Sequence, residues 1–249
     1  MTISAVILAG APADPDMEAK YSVKNRAEVP IAGKPMVQHV IDALKASPSV
    51  GSICLIGDIQ CEGADKVIPS AGSMLDNLAA GVGACEGEQV LISTSDIPML
   101  TAEAVDDFIG RCGDLSADLY YAIIPKEECE KRFPGMRRTY TRLAEGTFTG
   151  GNMAIVSSEF VRKNAEYLRQ VFEVRKKPLK IAGLIGVGTL VRAIIAQKVW
   201  AGAINLPLLE KTAGRVLNAD LKAVQTPYAE IGSDVDHLEQ ASYLEAMVE

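Results

Sequence analysis

An uninterrupted apolar segment, Ile3 to Ala9, lies close to the N-terminus and ends at Gly10. Such a run is typical of a strand in a parallel sheet, because helices cover both faces of the sheet and neither row of side chains meets water. Further short strands are predicted at 52–57, 66–68, 89–93 and 118–124. Since helical stretches separate them, the first half of the chain predicts parallel strands joined by right-handed helical crossovers.

Amphipathic spacing marks the helices between these strands. Apolar residues recur through 37–44 at the spacing of one helix face, which indicates a helix that buries a single stripe. Helices are likewise predicted over 73–83, from Thr101 onward and over 236–248. Residues 11–30 have no such pattern and are predicted to form an irregular loop.

The second half of the chain is less regular. It predicts short strands at 138–143, 153–156, 215–217 and 223–225, and a mostly helical insertion at about 158–213. Together the patterns predict an α/β fold: one domain over residues 1–249 with three α/β/α layers, Rossmann-like, around a mostly parallel, mixed central sheet.

The net charge of the chain limits the classes of partner that it is expected to bind. The 249 residues have a net charge of −7, and an acidic surface repels phosphates, so neither nucleic acid nor membrane is expected as a partner. The apolar stretch 181–191 is too short to span a bilayer, which needs about 20 residues, and the N-terminus lacks the pattern of a signal peptide. These features predict a cytoplasmic protein. The sequence does not fix the oligomeric state, and a homo-oligomer stays open.

The five cysteines and two histidines are dispersed. Their spacing argues against a disulfide framework and against a His-rich metal site. Chemistry based on a histidine would have to use His39 or His237.

The end of the first strand and the loop after it form the first candidate site. At Leu8, Ala9 and Gly10, backbone N–H groups at the edge of the sheet can cradle phosphates or a nucleobase. The following loop holds four cations within 15 residues: Lys20, Lys24, Arg26 and Lys34. They can bind a polyphosphate or be solvated loop charges, and charge alone does not separate these two interpretations.

Acidic residues form the second candidate site. Asp96 directly follows a buried strand, and ligands of open α/β sheets bind beyond the carboxyl ends of the strands. Mg²⁺ takes one or two carboxylates together with substrate phosphates. Asp234 and Asp236 share one side of an extended segment near the C-terminus. Asp236 can also be the N-cap of the last helix, and both interpretations stay open.

Four motifs occur in order along the chain. They are Val6–Gly10, Val29–Val37 at the start of the first predicted helix, Thr94–Pro98 and Asp234–Asp236. In this order and spacing the chain resembles the nucleotidyltransferases of the glycosyltransferase-A-like fold. That group includes the MobA-like enzymes, the sugar-1-phosphate uridylyl- and guanylyltransferases, and the cytidylyltransferase of isoprenoid synthesis.

The resemblance implies a reaction and a site. A phosphate oxygen of a small acceptor, a sugar phosphate or a cofactor precursor, would attack the α-phosphate of a nucleoside triphosphate, and pyrophosphate would leave. Mg²⁺ would lie between Asp96 and Asp236, with Arg26 as the catalytic cation. The resemblance also implies nucleotide contacts from Leu8, Ala9, Gly10, Lys24, Lys34 and Ser73, and acceptor contacts from Gly151 and Asn152.

The chain departs from that pattern in its first loop. The group usually has a glycine-rich loop after Leu-Ala-Gly, whereas this chain has Ala11-Pro12-Ala13. Arg26 falls at the position where the group has a lysine. Arginine is always charged and binds phosphate through two parallel N–H donors, so it can hold a triphosphate.

Several candidate residues also have purely structural interpretations. Ser73 with Asp76 has the spacing of a helix capping box. The segment Thr149–Asn152 can be a tight turn or can approach a ligand closely. The basic clusters Arg137–Arg138 and Arg175–Lys177 can bind the acceptor phosphate, although solvated surface is the favoured interpretation.

Two other functions compete with nucleotidyl transfer. One is a glycosyltransferase of the same fold, which would use a nucleotide-sugar and an Asp-x-Asp directly after a central strand. Here the central strand runs into Asp96-Ile97-Pro98 and the Asp-x-Asp lies near the C-terminus, which disfavours this alternative. The other is a nucleotide-binding sensor that has lost turnover, suggested by the missing glycines.

Overall fold

The computed structural model describes residues 2–174 and 186–248. The strands are β1 (Ile3–Leu8), β2 (Pro30–Ile31), β3 (Lys34–Pro35), β4 (Val50–Ile56), β5 (Lys66–Ile68), β6 (Gln89–Thr94), β7 (Leu119–Pro125), β8 (Thr141–Leu143), β9 (Gly146–Ser157) and β10 (Leu221–Gln225). The helices are α1 (Pro15–Tyr21), α2 (Met36–Ala46), α3 (Met74–Ala84), α4 (Ala102–Arg111), α5 (Lys126–Arg132), α6 (Ser158–Val174), α7 (Val187–Lys198), α8 (Leu206–Leu217) and α9 (Leu238–Val248). Short 3₁₀ turns lie at Arg26–Glu28, Ala201–Ala203 and Ala229–Gly232.

The central sheet has the order β10-β7-β9-β6-β1-β4-β5, and β8 pairs with β9 at one side. β1 pairs in parallel with β4 and β6, and β7 pairs in parallel with β10. β9 runs antiparallel to both of its neighbours in the main sheet. The prediction of a mostly parallel, mixed sheet is therefore confirmed.

Helices cover both faces of this sheet. Ala5 and Ile7 of β1 belong to the core that β1 shares with α2 and α4, whereas Val6 belongs to the core that it shares with α3 and α6. A strand alternates its side chains between the two faces, and here both faces are buried, as the continuous apolar run predicts. The three-layer α/β/α arrangement is also confirmed.

Three local predictions are wrong. Residues 11–30 are not irregular, because they contain α1 and the 3₁₀ turn after Asn25. The predicted strand 215–217 is the last turn of α8. The segment Thr149–Asn152 is not a turn but lies inside β9, a strand of 12 residues. In each case a segment that is ambiguous on its own takes the structure of its surroundings.

The mostly helical insertion predicted at 158–213 coincides with α6, α7 and most of α8 in the part that the structure describes. The Arg175–Lys177 cluster lies outside the described residues. Among the helices over 2–174 and 186–248, none combines the length and apolarity that crossing a bilayer requires.

Candidate functional site

One arginine side chain joins the two carboxylates that the sequence places about 140 positions apart. Arg26 Nη1 donates to Asp96 Oδ2 at 3.0 Å and also to Asp236 Oδ1. The Asp96 side chain is 11% exposed and the Asp236 side chain 45% exposed. The three residues that the sequence nominates as catalytic thus meet at one point, beyond the carboxyl end of β6.

Backbone hydrogen bonds hold Arg26 in this position. Its N–H donates to the carbonyl of Ala11 at 3.0 Å, which brings the far end of the loop back to β1. The Asn25 side chain donates to the Ala9 carbonyl at 2.7 Å and accepts from the Ala27 N–H at 2.9 Å. Asn25 therefore caps the 3₁₀ turn and ties it to the end of β1.

The two acidic segments are also joined through the backbone. The Val235 N–H donates to the Asp96 carbonyl at 2.9 Å, so the Asp234–Asp236 segment lies against the end of β6. Gln240 Oε1 accepts from the N–H groups of Asp236 and His237 at 2.8 and 2.9 Å. Gln240, rather than the Asp236 side chain, thus caps the start of α9. Of the two interpretations left open for Asp236, the structure shows no capping bond to its carboxylate among the described residues, and this carboxylate faces Arg26.

The carboxylates have donor atoms suited to a divalent cation. Asp96 Oδ1 is buried and has no hydrogen-bond partner in the described structure. A buried carboxylate oxygen left without a partner is costly, and a metal ion would satisfy it. Within 2–174 and 186–248 there is no cluster of three or more Asp, Glu, His or Cys suited to a metal. Two carboxylates with one buried, unpartnered oxygen are donors that suit a hard divalent cation, which can complete its shell with phosphates and water.

A polar pocket of about 440 Å³ opens beside these carboxylates. Its walls come from β7, β9, the segment after α5 and the start of α9, and include Tyr121, Arg137, Arg138, Thr149, Gly150, Gly151, Asn152, Asp234, Asp236, His237 and Gln240. Gly151 and Asn152, the residues nominated for the acceptor, both line it. Gly151 has a packing reason as well, because a Cβ there would lie 2.9 Å from Ala122 Cβ and from Ile231 Cγ2.

Arg138 is the buried cation of the polar pocket. Its side chain is 4% exposed, so the favoured interpretation of this residue as solvated surface is wrong. Nη1 lies 3.3 Å from Asp234 Oδ1, and Nε is buried without a partner in the described structure. Burial raises the pKa of Asp234, and Arg138 opposes that rise. Asp234 thus forms an ion pair with Arg138, whereas Asp236 and Asp96 both form ion pairs with Arg26.

At the end of β1, the peptide groups of Leu8 and Ala9 are bonded within the protein. Leu8 is within the β ladder, pairing with Ile56 and Thr94. The Ala9 N–H donates to the Ile56 carbonyl at 2.8 Å, and the Ala9 carbonyl accepts from Asn25. The expected ligand contact by the Ala9 backbone is therefore not supported. Gly10 is exposed, and its missing side chain leaves room for Asn77, since a Cβ would lie 2.5 Å from Asn77 Nδ2.

Three other nominated residues lie away from the Arg26 cluster in their contacts. Lys34 Nζ pairs with Asp42 of α2 at 2.6 Å, so the structure does not bring its charge to the carboxylates. Lys24 is exposed on the first loop. Ser73 is the N-cap of α3, where Oγ accepts from the Asp76 N–H at 3.2 Å, as the capping-box interpretation predicts.

Sequence reasoning missed Asn25 and Gln240, which position the site. Asn25 directly precedes Arg26, and asparagine is a frequent helix cap, so that signal was available. Gln240 lies one helical turn after Asp236, but a glutamine inside an ordinary helix gives no distinguishing signal.

The fold and site define a class of protein: an α/β protein in which acidic and basic side chains meet at the carboxyl ends of the strands. A family model of the MobA-like NTP transferase domain matches residues 5–170, which is more than half of the chain. The chain therefore belongs to this family and is a nucleotidyltransferase. This result disfavours the glycosyltransferase and the inactive sensor.

Solved structures show the same fold. A hypothetical transferase from Thermus thermophilus is 37% identical with a TM-score of 0.87, over 97% of this chain and 100% of that chain. CMP:2-keto-3-deoxy-manno-octonic acid synthetase in complex with CTP is 16% identical with a TM-score of 0.63, over 100% and 98%. The 2-C-methyl-D-erythritol 4-phosphate cytidylyltransferase from Thermus thermophilus is 12% identical with a TM-score of 0.57, over 100% and 99%. No curated protein matches the chain in sequence.

Proposed function

We propose that this nucleotidyltransferase moves a nucleoside monophosphate from a nucleoside triphosphate to a small phosphorylated acceptor, with Mg²⁺ and with release of pyrophosphate. One observation supports it above the others: Arg26, Asp96 and Asp236 meet beside the polar pocket. The triphosphate would lie at the Arg26 cluster and the acceptor in the polar pocket. A phosphate oxygen of the acceptor would then form a bond to the α-phosphorus while the bond to pyrophosphate breaks.

The side chains present suit this reaction, which asks for positioning and charge neutralisation rather than a protein nucleophile. Arg26 would pair with the triphosphate oxygens through its fork of N–H donors. Asp96 and Asp236 would hold Mg²⁺, which neutralises charge on the phosphates when it is bound. Arg26 contacts both carboxylates and so holds them close together at the site proposed for the metal.

The acceptor phosphate has its own cation in this proposal. Arg138 is buried in the wall of the polar pocket, and one of its nitrogens has no partner in the described structure. A buried guanidinium gains more from an anionic ligand than an exposed one, because water screens it less. Gly151 and Asn152, which also line the pocket, would contact the rest of the acceptor head, and Asn152 offers both a donor and an acceptor.

Pyrophosphate release tests the proposal. The wild-type chain is incubated with each common nucleoside triphosphate and a panel of sugar and alkyl phosphates, with Mg²⁺ or with EDTA. Asp96→Asn should lower turnover by about 100-fold or more, because it weakens binding of the Mg²⁺ that would neutralise charge on the reacting phosphates. Glu230→Gln is the matched control, since Glu230 is also paired with an arginine and is equally buried at 11% exposed. Full activity of Asp96→Asn at saturating Mg²⁺ would overturn the assignment.

A further inference from the structure

A second cavity, of about 400 Å³, lies between α8 and the sheet, and we name it the apolar cavity. Its walls include Ile123, Phe148, Leu209 and Leu217. Its acidic wall residue, Glu210, directs Oε1 to the Ala223 N–H at 2.8 Å and thus to the protein backbone. Protein interiors normally fill such space with side chains. A cavity with apolar walls offers water few partners and is suited to hydrocarbon.

The apolar cavity adjoins the polar pocket. Tyr121, Thr149 and Gly150 line both of them. At Gly150 a Cβ would lie 2.5 Å from Tyr121 Oη, so the phenol packs against bare backbone at the boundary. The two cavities therefore share one wall, and a ligand that occupied both would pass Tyr121.

Helix α7, which packs on the apolar cluster that contains Phe148, is also apolar on its outer side. Ala193 and Ala196 of α7 pack in the apolar cluster that contains Phe148, a wall residue of the cavity. The outer side presents exposed apolar residues, and two more follow the helix: Val191, Ile194, Ile195, Val199 and Trp200. Val199 is 77% exposed and Trp200 65% exposed. A contiguous exposed apolar surface of this kind marks an interaction site.

The charges on this surface favour a lipid over an acidic protein partner. Residues 187–200 contain Arg192 and Lys198 and no acidic residue, in a chain whose net charge is −7. Exposed aliphatic and tryptophan side chains flanked by cations are typical of helices that lie in a bilayer surface. The net negative charge of the whole chain argues against membrane binding, but residues 187–200 carry only positive side-chain charge.

We propose that the acceptor is an amphiphilic phosphate, with a phosphorylated head in the polar pocket and a hydrocarbon chain in the apolar cavity, taken from a lipid surface on which α7 rests. This inference rests on the proposed function, because it identifies the polar pocket as the acceptor site.

Binding of an alkyl phosphate series tests the cavity without any turnover. Methyl, hexyl and decyl phosphate are titrated by calorimetry, below the concentrations at which they aggregate. Affinity should rise by about tenfold or more from methyl to decyl, since each buried methylene adds to binding. Ala213→Phe, which fills the cavity, should remove that gain and leave methyl phosphate binding unchanged. Lys211→Phe, on the exposed side of α8, is the control and should keep the gain.

The alkyl phosphate titrations of the wild-type protein test the proposal even if Ala213→Phe does not fold. Affinity that is independent of chain length would overturn the proposal. The outcome is separate from the pyrophosphate assay, because alkyl phosphate binding needs no triphosphate. A chain that binds decyl phosphate but releases no pyrophosphate with any triphosphate would refute the proposed function and the acceptor role, and would leave the amphiphile-binding site standing.

Trp200 reports on the lipid surface, because it is the single tryptophan of the chain. Vesicles of phosphatidylcholine with a minor fraction of phosphatidylglycerol should shift its fluorescence to shorter wavelength and sediment with the protein. Ile194→Glu should abolish both effects. A stable dimer in solution that protects Trp200, with no vesicle association, would overturn the lipid assignment and identify the surface as a contact between copies.

Discussion

Removing the positive charge from the Arg26 cluster should make the stability of the protein depend on Mg²⁺. In Arg26→Met, the Asp96 carboxylate loses its hydrogen bond from Nη1 at 3.0 Å while its side chain stays only 11% exposed. Hydrogen bonds to charged groups contribute about 1.5–3 kcal/mol, so the free energy of unfolding in EDTA should fall by about 2 kcal/mol. Repulsion between Asp96 and Asp236, no longer screened by the guanidinium, acts in the same direction.

Mg²⁺ should then restore the free energy of unfolding that Arg26→Met loses. A ligand that binds only the native state at about 100 times its dissociation constant adds about 2.7 kcal/mol, which is enough to offset the loss. Mg²⁺ should stabilise the wild-type protein less, because the guanidinium competes with the metal for the same oxygens. The assay is urea unfolding followed by circular dichroism, in EDTA and across a Mg²⁺ series.

Arg132→Met is the matched control. Arg132 Nε pairs with Glu230 at 2.8 Å, and the Glu230 side chain is as buried as that of Asp96. This variant should lose a comparable free energy of unfolding, since it breaks a similar pair. It should regain little with Mg²⁺. If Arg26→Met shows no larger response to Mg²⁺ than Arg132→Met, the two acidic residues do not form a metal site and the reasoning is refuted.

Three further substitutions separate packing and capping from ligand binding. Gly151→Ala should lower the free energy of unfolding by about 1–3 kcal/mol in urea titrations, because its Cβ would enter space already filled by two apolar neighbours. Ser73→Ala should cost about 1 kcal/mol through loss of the α3 cap, with the KM for the triphosphate unchanged; a large rise in that KM would show nucleotide contact instead. Lys34→Ala should change stability by about 0.5 kcal/mol or less, since its pair with Asp42 is exposed. Steady-state kinetics on Lys34→Ala should also show an unchanged KM, and a rise of about tenfold would place Lys34 on the triphosphate.

The buried strands could be predicted because their pattern is strong and local. β1 and β5 match their predicted ranges closely. The alternation of strands and helices along the chain was sufficient to predict the three α/β/α layers. β9 could not be bounded, because Gly150 and Gly151 signal a turn when they are considered alone. In the fold, a glycine at 151 is required by close packing against the neighbouring strand and the 3₁₀ turn. Packing across a sheet is information that a local window does not contain.

The candidate site, like the fold, could be predicted only in part from the sequence. Topology alone predicts that Asp96 lies at the ligand-binding edge, since it follows a central strand. Arg137 and Arg138 are adjacent and chemically identical in the sequence, yet Arg137 is exposed and Arg138 is buried beside Asp234. That difference depends on the path of the chain between α5 and β8, which has no repeating pattern to reveal it.

The absence of a glycine-rich loop after β1 and the presence of an arginine at position 26 have one physical explanation. Ala11, Ala13 and Lys24 pair through their backbones within the loop or with its far end, so the loop closes on itself around α1. The Ala13 N–H, which donates to the Lys24 carbonyl, is then not free to donate to a phosphate as the amides of a glycine-rich loop do. In the proposed function, side-chain charge would supply more of the phosphate binding, and the fork of an arginine offers more directed donors to phosphate than a lysine does. Arg26 Nη1 contacts both Asp96 and Asp236. In the proposed function, an arginine at position 26 would both supply donors to phosphate and offset the repulsion between these two carboxylates.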